Sequence, residues 1–462
     1  MTNPASPEFL PAGSRAIPIR CVGTAGWPET EAALSSAQRT YLRATDFAPK
    51  PGRLALLPAE DGSIARVLFG LGEAEGAGRD RLAAGRLPGL LPPGSYRLEG
   101  GIDPAEAALA WLLGSYRFGR YREATGDRPR LVAPDGVNAA EIGRIAGAVA
   151  MGRDLVNTPA NDLGPAEIAA VACDLARRHG ALIAIIADEA LARDFPLVHA
   201  VGAASVRAPR LIDLTWGSPD APRVTLVGKG VAFDTGGLDI KPSAGMLLMK
   251  KDMGGAAAAL AVADMVMGAG LNLRLRLLIP AVENAVSGAA FRPGDVLASR
   301  AGLKVEIGNT DAEGRLILAD ALALADAEEP DLLIDFATLT GAARVALGPD
   351  LPAFFTEDEA LAGAVAAAGL EAADPVWRLP LHAPYASLLD SKVADLNNVS
   401  GGPFAGAITA ALFLRRFAPK TRAHVHFDLY GWNPSTKPGR PEGGEVQTAR
   451  LVYRLLKDRY GG

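Results

Sequence analysis

The chain has 462 residues, 49% of them hydrophobic and 21% charged, with a formal net charge of −5 and two cysteines. That length exceeds what one core usually serves, so two domains are expected, and the mild acidity argues against bulk attraction to nucleic acid or to an anionic membrane surface. Cys21 and Cys173 lie far apart and outside any CxxC spacing, which argues against a zinc knuckle or a dithiol redox motif and fits a reducing, cytoplasmic compartment.

Residues 1–11 carry no basic stretch followed by an apolar run, so no secretory leader is expected. Residues 53–57 and 65–71 predict strands, joined by Ala59-Glu60-Asp61-Gly62-Ser63, which has hairpin turn chemistry. Residues 105–113 predict a helix. The first 140 residues hold 16 Lys and Arg against 15 Asp and Glu, so this region is nearly neutral. Residues 128–136, with Pro129 and Pro134, read as a linker. Residues 139–156 are apolar at helical spacing and predict a connecting helix, which Asn157-Thr158-Pro159-Ala160-Asn161 breaks.

Beyond that point strands and helices alternate. Residues 181–187, 224–227, 273–278, 332–336 and 424–430 predict strands. Residues 165–179, 255–267, 316–326 and 405–417 predict helices. The order implies an α/β fold with a mixed, largely parallel sheet flanked by helices. It divides the chain into a smaller N-terminal α/β domain over 1–137, a connecting helix over 138–156, and a larger domain over 157–462. Residues 254–266 come closest to a membrane span, but Asp264 and the flanking Lys250, Lys251 and Asp252 fit a buried core helix better.

Ionisable residues gather where the predicted strands end. Lys229 and Asp234 follow an apolar strand, Lys241 follows a few residues later, and Asp252 stands at the mouth of the Ala-rich helix. Asn309-Thr310-Asp311-Ala312-Glu313-Gly314-Arg315 follows a short strand over 305–307. Ligands of open α/β sheets bind at the carboxyl ends of strands, so these acids and bases are expected to converge on one crevice. If residues 311–315 are extended, Asp311, Glu313 and Arg315 face one side. With Asp234 and Asp252, the four carboxylates could share about two divalent cations, an arrangement used to hydrolyse amides and phosphoesters. An all-oxygen set favours Mn²⁺, Mg²⁺ or Zn²⁺ over soft metals. Taken singly, each such residue is more often a solvated loop group.

Other chemistries lack their motifs. Gly228-Lys229-Gly230 has no third glycine and no helix start after it, and no Gly-Lys-Ser/Thr closes a P-loop. The histidines at 179, 199, 382, 424 and 426 form no HExxH, and there is no GxSxG elbow. His424 and His426 alternate on a predicted strand and read as packing groups or as supports behind the site.

The octapeptide Asn309-Thr310-Asp311-Ala312-Glu313-Gly314-Arg315-Leu316 resembles the signature of the leucine aminopeptidase family. Four more segments agree in order: Val156-Asn157-Thr158-Pro159-Ala160-Asn161; Gly228 through Gly237; Met249-Lys250-Lys251-Asp252-Met253-Gly254-Gly255; and Ala337-Thr338-Leu339-Thr340-Gly341-Ala342. A weaker match runs from Asp395-Leu396-Asn397-Asn398 through Ala405–Ala411. The resemblance covers about residues 150–462 and implies a metal-dependent aminopeptidase. By that resemblance Lys229, Asp234, Asp252 and Glu313 hold a tightly bound metal, and Asp234, Asp311 and Glu313 hold a more exchangeable one. Lys241 and Arg315 are the catalytic positives, and Met249 and Thr338 line the pocket for the N-terminal side chain. It further implies two cations per chain, Mn²⁺ or Zn²⁺, a bicarbonate near Arg315 as general base, peptide substrates with a free N-terminus, and a homo-hexamer of two stacked trimers.

Two positions depart from the pattern. Asp239 stands where a small polar residue is usual, and Lys251 where an aromatic or aliphatic one is usual; both are expected near the site. Rival readings are a dipeptidase specialised for Cys-Gly-type products, an aminopeptidase with an added DNA-binding role, and a relative that has lost catalysis. The near-neutral first third argues against DNA binding, and the complete ligand set argues against lost catalysis.

Overall fold

The computed structural model describes residues 8–73, 80–122 and 126–461, so the leader reading over residues 1–7 lies outside the described residues. The chain forms two compact units. One comprises Met1–Ala150 with Ser435–Glu442, and the other Met151–Pro434 with Gly443–Gly462.

The first unit holds a five-stranded sheet in the order Leu54–Pro58, Ile64–Gly72, Ile17–Gly23, Gly94–Leu98, Pro129–Leu131. The expected hairpin is present. Ala59 N donates to Ser63 O at 2.8 Å or less, namely 2.7 Å, and Asp61 accepts from the Ser63 backbone at 2.9 Å. Gly62 at the turn has φ of 83°, a region other residues enter only at a cost. The helix Pro104–Gly114 starts as its sequence demands, with Pro in its first turn and the Asp103 carboxylate accepting from Glu106 N at 2.8 Å. Residues 128–136 are not wholly a linker: Pro129–Leu131 pairs in parallel with Gly94–Leu98 as an edge strand. A proline opening an edge strand forfeits no needed ladder bond, which is why the linker-like composition misleads there.

In the second unit the sheet runs Trp377–Arg378, Ala353–Phe355, His424–Asp428, Leu332–Ala337, Arg223–Gly228, Arg274–Asn284, Arg210–Trp216, Leu182–Ala187, with Gly230–Asp234 also pairing Arg274–Asn284. The four central strands from His424–Asp428 to Arg274–Asn284 are parallel, and antiparallel neighbours flank them on both sides. Central strands of this kind are covered on both faces and read as continuous apolar runs. Every residue of Leu332–Ala337 is buried, including Asp335.

Two helices set the site. Gly254–Ala269 packs on the central strands, and its small residues permit close approach. A Cβ on Gly255 would lie 2.1 Å from Phe336 O, so only glycine fits. With the turn before it, Met249–Ala269 is long and apolar enough to cross a membrane, but 83% of its most apolar window is buried in this fold. The second helix is Glu313–Asp326. Residues 311–315 are therefore not extended. The helix begins at Glu313, and at 100° per residue Glu313 and Arg315 point to different sides, not to one. Gly314 makes this possible, since a Cβ there would come 2.5 Å from Lys229 Cε.

Candidate active site

Lys229 sits in the one-residue link between Arg223–Gly228 and Gly230–Asp234. Its amide donates to Phe336 O at 2.9 Å, which seats the link against the neighbouring strand end. The side chain is buried. Its Nζ donates to Thr338 O at 2.8 Å and lies 2.8 Å from Asp252 Oδ2 and 3.0 Å from Glu313 Oε1. These last two contacts have ion-pair distance without hydrogen-bond alignment, since both carboxylate oxygens lack a well-aligned donor.

Asp234 ends its strand, and its Oδ1 accepts from Gly236 N and from Asn284 Nδ2, both at 2.8 Å. Its Oδ2 lies 2.8 Å from Lys241 Nζ, which also pairs with Asp311. Asp252 is carried by the short 3₁₀ turn Met249–Met253, and Thr338 Oγ1 donates to its Oδ1 at 2.7 Å. Asp234, Asp252 and Glu313 are buried, and each offers one oxygen within 4.8 Å of the others. These contacts bring Lys229, Asp234, Lys241, Asp252, Asp311, Glu313 and Thr338 together in one place. Met249 begins the turn that presents Asp252.

Crowding shows in the protonation equilibria. Burial, reinforced by Asp252, pushes Asp234 up to about 6. Burial and the charge of Asp234 drive Glu313 well above the usual carboxylate range. Burial works against the charge of Asp252 too, but Lys229 and Lys251 outweigh it and hold that carboxyl low. Burial opposes the charge on Lys229, yet Asp252, Glu313 and Asp234 together raise its pKa. Burial pushes Lys251 down to about 8, partly offset by Asp252.

Arg315 makes no ion pair with a carboxylate among the described residues. It is buried, its Nη1 donates to Asn398 O at 2.7 Å, and its Nε has no hydrogen-bond partner among the described residues. Burial pushes it down to about 10 against the pull of Glu313. Glu313 Oε2 is likewise buried without a partner among the described residues. An orphaned carboxylate oxygen and an orphaned guanidinium nitrogen each cost free energy. One calls for a cation and the other for an anion.

Three supporting residues were given no role in the sequence reading. Asn284 ties Asp234 to Thr310 O at 3.2 Å. Asn398 Oδ1 accepts from Gly308 N at 2.8 Å while its amide donates to Asn309 O at 2.8 Å. Asp428 accepts from Thr340 Oγ1 at 2.6 Å and from Leu339 N at 3.1 Å, fixing the loop after Thr338. A polar residue ending the apolar run of Arg274–Asn284 was the available signal for Asn284. Asp239 lies near the site as expected, where its Oδ2 accepts from Thr310 N at 2.7 Å.

A profile described as "Cytosol aminopeptidase family, catalytic domain" matches residues 150–455. The chain belongs to the cytosol aminopeptidase family. A profile described as "M17 aminopeptidase, N-terminal domain" matches residues 17–134, so the family's N-terminal domain is present as well, where the sequence alone gave no specific match. A probable cytosol aminopeptidase of Roseiflexus castenholzii is 42% identical over 366 residues, covering 75% of each chain. The crystal structure of a cytosol aminopeptidase from Coxiella burnetii superimposes with a TM-score of 0.94 at 46% identity, over 98% of this chain and 99% of that one. The bottromycin maturation enzyme BotP, solved in complex with Mn, gives 0.87 at 35% identity over 96% of this chain and 100% of that one. Membership makes this family member an aminopeptidase with peptide substrates.

Proposed function

We propose that the chain is a two-metal aminopeptidase that hydrolyses the N-terminal peptide bond of peptides with a free N-terminus, using Mn²⁺ or Zn²⁺. The observation that carries this reading is the buried trio Asp234, Asp252 and Glu313, whose ligand oxygens lie within 4.8 Å of one another while Glu313 Oε2 has no partner among the described residues. Carboxylates so close repel unless protonated or bound to cations, and a protonated Glu313 would need an acceptor that Oε2 does not find. Lys229, Asp234, Asp252 and Glu313 would hold one cation. Asp234, Asp311 and Glu313 would hold the other, which faces solvent more because the Asp311 side chain is 34% exposed.

A pair of divalent cations, when bound, supplies Lewis acidity and activates water for attack at neutral pH. The chain's own groups do the rest. Lys229 would hold a cation only as the neutral amine, so loading would release its proton. Lys241, paired with Asp234 and Asp311, would be free to present its ammonium to the developing oxyanion once those acids hold cations. Arg315 Nε is available to hold a bicarbonate, the expected general base. Met249 and Thr338 flank the N-terminal side chain. Residues 157–462 act as the catalytic domain behind the connecting helix 138–156.

The test is substrate chemistry. Leu-amide is expected to be cleaved and N-acetyl-Leu-amide to be left intact, because the free α-amine is part of the recognised group. Equal cleavage of both would refute an exopeptidase.

A further inference from the structure

Beside the carboxylates, positive charge collects around one aromatic loop. Tyr430-Gly431-Trp432 follows the His424–Asp428 strand. Lys251 Nζ lies 4.5 Å from the centroid of the Tyr430 ring, and the Arg344 guanidinium carbon lies 5.2 Å from the same ring. Lys250 Nζ is 5.5 Å from the Trp432 ring and donates to Asn157 O at 2.7 Å. Lys251 is only 6% exposed and shares its short turn with Met249 and Asp252.

No carboxylate among the described residues comes within ion-pair distance of Lys250, Lys251 or Arg344. The acids nearby are engaged elsewhere. Asp252 faces Lys229 and Thr338, and Asp428 is taken up by Leu339 and Thr340. Asp252 and Asp428 act on the Lys251 ammonium only from beyond ion-pair distance, and its contact with the Tyr430 ring is weaker than a hydrogen-bonded ion pair, so the buried charge is under-compensated. The corner adjoins the site directly. A Cβ built on Gly431 would lie 3.1 Å from Thr338 Cγ2 and 3.6 Å from Lys251 O, and Thr338 holds Asp252.

We infer that this corner recognises a carboxylate on the substrate's N-terminal side chain, so that Glu and Asp are removed in preference to their isosteres Gln and Asn. Lys251 is the specificity-determining residue, the Tyr430 ring keeps its ammonium in place, and Arg344, against the same ring, adds charge. The inference rests on the aminopeptidase reading. It also separates two sources of the same anion, since a short peptide's C-terminal carboxylate could enter the corner instead.

The experiment uses full-length, metal-loaded enzyme and the amides of Glu, Gln and Leu, which have no C-terminal carboxylate. Wild type is expected to show kcat/KM for Glu-amide about tenfold or more above Gln-amide, the usual worth of one charge-assisted contact. Lys251→Met is expected to bring that ratio to near one, with little change in the Leu to Gln ratio. Lys251→Arg, which keeps the charge, is expected to retain most of the preference. A wild-type Glu to Gln ratio at or below one overturns the inference without recourse to any variant, and so does an unchanged ratio in a folded Lys251→Met. If Leu-Gly were strongly preferred to Leu-Gly-amide while Glu and Gln amides were alike, the corner would serve the C-terminal carboxylate and the assignment to the side chain would be wrong. Failure to cleave Leu-amide at all would contradict the aminopeptidase reading itself.

Discussion

At the scale of single residues, the account separates groups that hold cations from groups that act on the substrate. Glu313 shares Lys229 with Asp252, whereas Arg315, two residues on, donates to Asn398. Glu313→Ala is therefore expected to lose metal along with rate. Arg315→Ala is expected to keep its metals and lose about 10²–10³ in kcat, the usual effect of removing one electrostatic contact. Metal analysis beside steady-state kinetics checks both, and an Arg315→Ala protein stripped of metal would reverse the assignment. The acids and lysines of this site were legible because most lie at or just past a predicted strand end, and Asp252 stands at the mouth of an Ala-rich helix. Asn284 was not legible, since its value lies in reaching Asp234 and Thr310 at once, and that proximity exists only after folding. That Glu313 and Arg315 face one side was conditional on an extended segment, and the condition fails because Glu313 already opens a helix.

At the scale of elements, one clip joins two central strands under the site. Asp335 on Leu332–Ala337 pairs with His424 at 2.7 Å and His426 at 2.5 Å, both on the adjacent parallel strand His424–Asp428. The two histidines, expected as packing or supporting groups, thus bracket one buried carboxylate. Burial opposes the charge of Asp335, but His426 and His424 outweigh it and hold its pKa low. Burial likewise opposes a charged His426, and Asp335 outweighs it and raises that pKa. The signs set two limbs. Stability from Asp335 is present above its unfolded pKa of about 3.9 and is lost as pH falls through its lower folded value. Stability from His426 is complete below about 6.5 and is lost as pH rises through its higher folded value. Asp335→Asn leaves a buried cation without its partner and is expected to cost about 3–5 kcal/mol, and to flatten the alkaline limb of Tm against pH. A thermal melt series across pH 5–9 decides, and an unchanged melting profile would rule the clip out. Arg223–Gly228, Leu332–Ala337 and His424–Asp428 were legible from their apolar runs, but Arg210–Trp216 and Ala353–Phe355 were not read, nor was the sheet order, because nothing local records that Leu332–Ala337 lies between Arg223–Gly228 and His424–Asp428.

At the scale of the whole molecule, the proposed assembly is a hexamer. The catalytic unit carries large apolar side chains that are open in a single chain, among them Val345, Leu247, Phe404 and Trp377. Scattered exposed apolar residues are ordinary, but a larger apolar surface commonly marks an interface. Light scattering at micromolar concentration is expected to give a mass near six times the 47.8 kDa of the chain, and a monomer would remove the assembly from the account. The division into a small α/β domain and a larger sheet domain was legible from length and from alternating elements. The return of Ser435–Glu442 to the first unit was not, since that segment lies some three hundred residues away in sequence and carries no strand or helix pattern.

The central claim is that the acids at the strand ends exist to hold a pair of catalytic cations. The most direct measurement is a metal titration of exhaustively chelated, full-length enzyme with Mn²⁺ or Zn²⁺, following bound metal per chain and Leu-amide hydrolysis in the same samples. The expected result is an inactive starting protein whose activity climbs with loading and levels off at about two equivalents per chain. Full activity in the metal-free protein would contradict it.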